Sequence, residues 1–213
     1  MKKRLIILLS LPLLGIGQTR FDSGEDLSYL MGTKKVSYEI RWDSATFNGN
    51  ESEKAFCEAK VKEKNFAKPG DGELWLEKWN ESKAQVFPKY FLKFYEPRMK
   101  KSKLAVKEND PKALYHMIIY VLDIDPGNAT IVSFNSRDKV NNSAKTNFRT
   151  LIVENSNRTV IKSNIYSHKI QGMEGMSPYD MDKTDTGRIK NCFFMYGYIL
   201  ADQLVIFNKK NKK

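Results

Sequence analysis

Two histidines and two cysteines in 213 residues leave little material for the commonest catalytic and metal-binding chemistries. His116 and His168 both fall in segments with strand character rather than in cleft-forming loops. No HExxH, CxxC, GxSxG or Walker-type glycine loop occurs, which excludes the common zinc-protease, thiol-redox, α/β-hydrolase and nucleotide-cradling signatures. The glycines of "PGDGE" lack the following lysine of a phosphate loop and read as a turn. A nucleophilic Cys–His pair requires Cys57 or Cys192 to meet one of the histidines in space, a point the sequence leaves open. Long apolar runs are scarce too. The run from Leu5 to Ile16 is roughly a dozen residues, where a membrane-spanning helix needs about 20.

That short run has the layout of an export signal. Lys2, Lys3 and Arg4 precede it, Gly15 and Gly17 give the small-x-small spacing of a cleavage site, and Gln18, Thr19 and Arg20 turn the chain polar. Residues 1–17 are therefore expected to be a signal peptide. No cysteine stands near the cut to carry a lipid. The expected location is periplasmic or secreted, with no transmembrane segment left after cleavage. Usage rich in lysine, asparagine and isoleucine points to a bacterial chain.

What remains is enough for one domain and short for two with separate cores. Hydrophobic residues make up 41%, with 12 Phe, 10 Tyr and 3 Trp, so wholesale disorder is excluded despite 29% charged residues. Of 36 lysines and arginines set against 25 acids, three lie in the signal, leaving a formal surplus of +8. Such a surface attracts anionic polymers, lipid headgroups or acidic protein faces. No nucleic-acid module is visible, and export argues against that partner. Cys57 and Cys192 face an oxidising compartment, so a bridge between them and two buried thiols are both open.

Along the chain, residues 18–34 read as a loose leader. In "KVSYEIRWDS", Val36, Tyr38, Ile40 and Trp42 alternate with polar residues, the period of a strand with one buried face. "ESEKAFCEAKVKEKNF" puts Phe56, Ala59 and Phe66 at helical intervals, with a cap near Asn50 or Ser52. After the Pro69–Gly72 turn, Leu74, Trp75 and Trp79 mark a second helix, and Pro88 fits the first turn of a third carrying Tyr90, Phe91, Phe94 and Tyr95. These aromatics are expected to pack on a sheet rather than form an exposed platform. Four strands follow, in "LYHMIIYVLDID", "ATIVSFN", "NFRTLIVEN" and "RTVIKSNIYSHKI"; "QGMEGMSPYDMDKTD" is a loop; and Ile189, Cys192, Phe193, Tyr196, Ile199 and Leu200 stripe a closing helix. The expected fold is a single α+β domain over residues 35–208, in the order β-α-α-α-β-β-β-β-α. Its sheet is mixed, mainly antiparallel and of about five strands, with the first strand inserted beside a later one and residues 209–213 as a basic disordered tail.

Two acidic groups merit comparison with known chemistry. Asp123 and Asp125 lie on one face at a strand end and look like the DxD motif with which glycosyltransferases hold a metal and a nucleotide sugar. An exported protein lacks that cytoplasmic donor, and Asp125 before Pro126–Gly127 suits a turn. Asp180, Asp182 and Thr184 are spaced like the start of a calcium loop, but Asp185 and Asn191 replace the glycine and glutamate an EF-hand requires. Thr184 or Asp185 instead suits the cap of the last helix. No cofactor, metal or catalytic residue is assigned.

The succession "SYEIRWDS", "EKAFCEAK", "GDGELWLEKWNESKAQVFPKYFLKFYE" and "YVLDIDPG" resembles a group of small exported proteins common in Bacteroidetes-type bacteria. The resemblance implies export and a shared fold, and brings no activity with it. The expected role is a non-enzymatic binding domain at the cell envelope. The alternative is a metal-dependent envelope hydrolase or transferase using Asp123 and Asp125.

Overall fold

The computed structural model describes residues 27–100, 104–127, 143–172 and 184–210, with side chains as far as Val205 in the last segment. The signal peptide assigned to residues 1–17, the strand expected at "ATIVSFN", and Asp180 and Asp182 lie outside these residues.

Strand β1 (Lys35–Arg41) leads into two short strands, β2 (Thr46–Phe47) and β3 (Glu51–Ser52). Helix α1 (Glu53–Ala67) follows, its first turn capped by Ser52, whose Oγ accepts the Ala55 N–H at 3.2 Å. Gly70 takes the left-handed φ of 91° that turns the chain into α2 (Asp71–Glu81). No break separates α2 from α3 (Phe87–Met99): a π-helical turn over Ser82–Val86 joins them into one run. Strands β4 (Ala105–Glu108), β5 (Tyr115–Asp125), β6 (Lys145–Glu154) and β7 (Ile161–Gln171) precede α4 (Asp185–Lys210). Thr184 begins α4 by accepting the Gly187 N–H on its Oγ1.

The α+β expectation holds, with seven strands in one mixed sheet among the described residues rather than about five. Their order is β4-β1-β5-β6-β7, and β2 continues the β1 side of β5 farther along. β1 does insert beside later strands, running parallel to both β4 and β5. The sheet is mixed and mainly antiparallel as expected, through the long β5–β6 and β6–β7 ladders and the short β2–β3 pair, while β1 and β2 add three parallel pairings. The unforeseen strands are two to four residues long, too short to establish a period of two.

Alternation decides what each strand buries. Val36, Tyr38, Met117, Ile119, Val121, Phe148, Ile152 and Ile165 face one side, where they meet Trp79, Phe87, Phe91, Tyr95, Phe193 and Tyr196 from the helices. Trp79, Phe87, Phe91 and Tyr95 are all wholly buried, as core aromatics should be. Phe66 departs from expectation: it is 94% exposed, because α1 buries only Phe56 fully. The leader is not loose throughout, since Leu27 and Leu30 flank a 3-10 turn and join the core. At the other end, α4 remains helical through Lys210, so Lys209 and Lys210 of the assigned tail belong to it.

Candidate functional site

With the helices on one side, the other side of the sheet is left without a helical layer among the described residues. It carries Ser37, Glu39 and Arg41 of β1, His116, Ile118 and Tyr120 of β5, Arg149, Leu151 and Val153 of β6, and Asn164, Tyr166 and His168 of β7. Ile118, Leu151 and Val153 form a small apolar floor under Tyr120. Above it the residues are charged, aromatic or amide.

One row crosses four strands. Pairing sets Arg41 opposite Tyr120, Tyr120 opposite Arg149, and Arg149 opposite Tyr166. The Arg41 guanidinium lies 5.8 Å from the Tyr120 ring centroid and donates to its hydroxyl at 3.4 Å. Arg149 lies 5.2 Å from the Tyr166 centroid, and His168 stacks on the same tyrosine at 6.2 Å. Cations held against aromatic faces keep their charge and lose mobility.

Glu39 is the carboxylate of this region. It pairs with Arg41 at 2.5 Å and with Arg158 from the β6–β7 turn at 3.4 Å, and its Oε2 lies 3.5 Å from the Nε2 of His116. His116 is wholly buried beneath it. Burial lowers the imidazole pKa, the nearby Arg158 lowers it further, and Glu39 opposes both. Around Glu39 the described residues thus set three guanidiniums against one carboxylate, while Asp123 and Asp125 lie on the same side at the far end of β5.

The strand-end pair is engaged otherwise. Asp123 Oδ1 accepts the Thr46 hydroxyl at 3.0 Å and the Gly49 N–H at 3.1 Å, fastening the β2–β3 turn to β5. Asp125 Oδ1 accepts the Gly127 N–H at 2.9 Å, the turn expected of an aspartate before Pro–Gly. Among the described residues, no three carboxylate, imidazole or thiol groups gather in a metal-binding arrangement.

Both cysteines are free thiols. Cys192 is buried and donates to the Ala144 carbonyl at 3.2 Å, and burial pushes its pKa up to about 12. A cleft of about 450 Å³ beside the start of α4 includes Lys60, Trp75, Lys78 and Arg188. Its cations are partly spent, since Lys60 pairs with Glu63 and Asp185, and Arg188 pairs with Asp185. Arg98, in the last turn of α3, is likewise paired, with Asp202.

Sequence patterning did not single out the row, because its four members meet only through strand register. The available signal was weak: Arg41, Tyr120 and Arg149 occupy the outward positions of strands whose inward positions are apolar.

No known protein family and no curated protein sequence matches this chain. Among the described residues no helix is long and apolar enough to cross a membrane.

Proposed function

We propose that this chain is an exported, non-enzymatic binding domain that recognises an anionic partner at the cell envelope through the open face of its sheet. The observation that supports it is the local excess of guanidinium over carboxylate at the centre of that face, where Arg41 and Arg158 share Glu39 and Arg149 holds no carboxylate. An unbalanced cation cluster on a sheet raises the local concentration of anions and favours their binding in proportion to the desolvation it permits. Export is supported by the basic start, short apolar run and Gly15-x-Gly17 spacing, and by the likeness to exported proteins of Bacteroidetes-type bacteria.

The alternative, a metal-dependent hydrolase or transferase built on Asp123 and Asp125, has less support. One oxygen of each carboxylate already serves a turn. The two readings separate on one pair of variants. Binding to an anionic matrix that falls steeply between low and moderate salt, and persists in Asp123→Asn/Asp125→Asn, supports the binding domain. Metal-dependent turnover abolished by the same double change would replace it with the enzyme. N-terminal sequencing of protein recovered from its host tests export: the expected first residue is Gln18, and retained Met1 would overturn that part.

A further inference from the structure

Resting on that anion-binding face, we infer that its ligand is an acidic polysaccharide and that Arg149 is the residue that binds its carboxylates. Five arginines are described, and four hold a carboxylate: Arg41 and Arg158 share Glu39, Arg98 holds Asp202, and Arg188 holds Asp185. Arg149 holds none. Its Nε donates to Asn164 Oδ1 at 2.9 Å, and its guanidinium rests 5.2 Å from the Tyr166 centroid. Both partners are neutral. They fix the plane of the guanidinium while its two terminal nitrogens keep no acceptor among the described residues. A planar fork held in this way is matched to the two oxygens of a carboxylate.

The rest of the row indicates what carries the carboxylate. Tyr120 and Tyr166 stand two strands apart, a separation of about 10 Å, comparable with two linked pyranose rings. Each tyrosine is half-exposed, held on one side by an arginine, and what it leaves open combines an apolar ring with a polar tip, as a sugar's C–H face and hydroxyls require. Charge spacing argues against nucleic acid. Arg41 and Arg149 are also about 10 Å apart, whereas each strand of DNA carries a phosphate for every 3.4 Å or so of helix axis, a much denser line of charge. A polymer in which charged and neutral rings alternate fits the wider spacing. A lipid surface is disfavoured because the apolar residues of the centre, Ile118 and Leu151, are only 5% and 8% exposed and offer no anchor to insert.

The test titrates the full chain with four probes: hyaluronan oligosaccharides, in which uronate alternates with a neutral sugar; oligodeoxythymidylate; anionic phosphatidylglycerol vesicles; and polyglutamate. The expected result is tightest binding to hyaluronan, weakened at least tenfold by Arg149→Ala and nearly as much by Arg149→Lys, which keeps the charge and loses the fork. Urea midpoints of both variants should stay near the parent value, separating lost recognition from lost folding. Salt-dependent binding to another probe in place of hyaluronan would overturn the polysaccharide and leave the anion-binding face intact. Hyaluronan binding that Arg149→Lys does not weaken would overturn the role of Arg149. Failure of all four probes would remove the face itself.

Discussion

Gly197 of α4 lies directly against the backbone of Phe91 in α3: a Cβ at this position would fall inside the contact distance of the Phe91 carbonyl oxygen and 3.3 Å from its Cα. The two helices approach this closely because α4 presents no side chain there. Gly197→Ala would add about 1 kcal/mol of helix propensity and incur an overpacking cost of about 1–3 kcal/mol. The obstruction is main chain, which cannot swing aside, so the cost wins. Urea denaturation should show a lower midpoint for the variant.

The indole N–H of Trp79, a wholly buried residue, donates to Glu53 Oε1 at 2.8 Å, and Lys83 donates to the same oxygen. Glu53→Ala would leave a buried donor unpaired, a loss of about 1–3 kcal/mol. Glu53→Gln keeps an acceptor for the indole and should recover most of it. Thermal melts of the two variants decide this; equal losses would mean that the charge pairing with Lys83, rather than the indole bond, carries the effect.

Two thiols stay unpaired. Cys57 is half-buried, and burial, reinforced by Glu53 and partly offset by Lys83, raises its pKa to about 11. A thiol reagent should therefore modify Cys57 slowly near neutrality, faster as pH approaches 11, and reach Cys192 only on unfolding. Reducing agent should leave the melting temperature unchanged even for protein recovered from an oxidising compartment. A drop on reduction would mean that the two are bridged.

His116 makes stability depend on acidity in one direction. Its pKa is lowered in the folded state below the ordinary 6.5, by burial first and then by Arg158. As pH falls through 6.5 the unfolded chain takes up the proton before the folded one, so stability present above that value is lost below it, with a slope of at most about 1.4 kcal/mol per pH unit. His116→Gln cannot titrate. The difference between parent and variant urea midpoints should be flat above pH 6.5 and change steadily below it; a constant difference throughout would show that the imidazole does not titrate differently on folding.

Most of the layering was legible in the sequence, and most of the face was not. Val36, Tyr38 and Ile40 announced β1 by alternation, and the apolar stretch Met117–Val121 announced a central strand, because burial on one or two faces writes a period into the chain. β4 did not announce itself, since "AVKE" has one buried residue and follows a lysine-rich run. Parallel pairing of β1 with β5 requires a crossover through three helices, and no local pattern encodes its register. Arg41 and Tyr120 are 79 positions apart. Their contact, and that of Arg149 with Tyr166, depends on register alone, which is why the cationic face surfaces only in three dimensions. Asp125 is the converse case, its turn being local and readable from Asp–Pro–Gly.

Trp75, Trp79, Phe87, Phe91 and Tyr95 recur at multiples of four along the joined helix. An unbroken α-helix overshoots a full turn by about 40° at each such step, so Tyr95 would end up about 200° around from Trp75. The wider winding at Ser82–Val86 absorbs one extra residue and takes back about half of that drift. It is a phase corrector: five residues without a fully buried ring among them decide that the rings on either side look toward the same sheet.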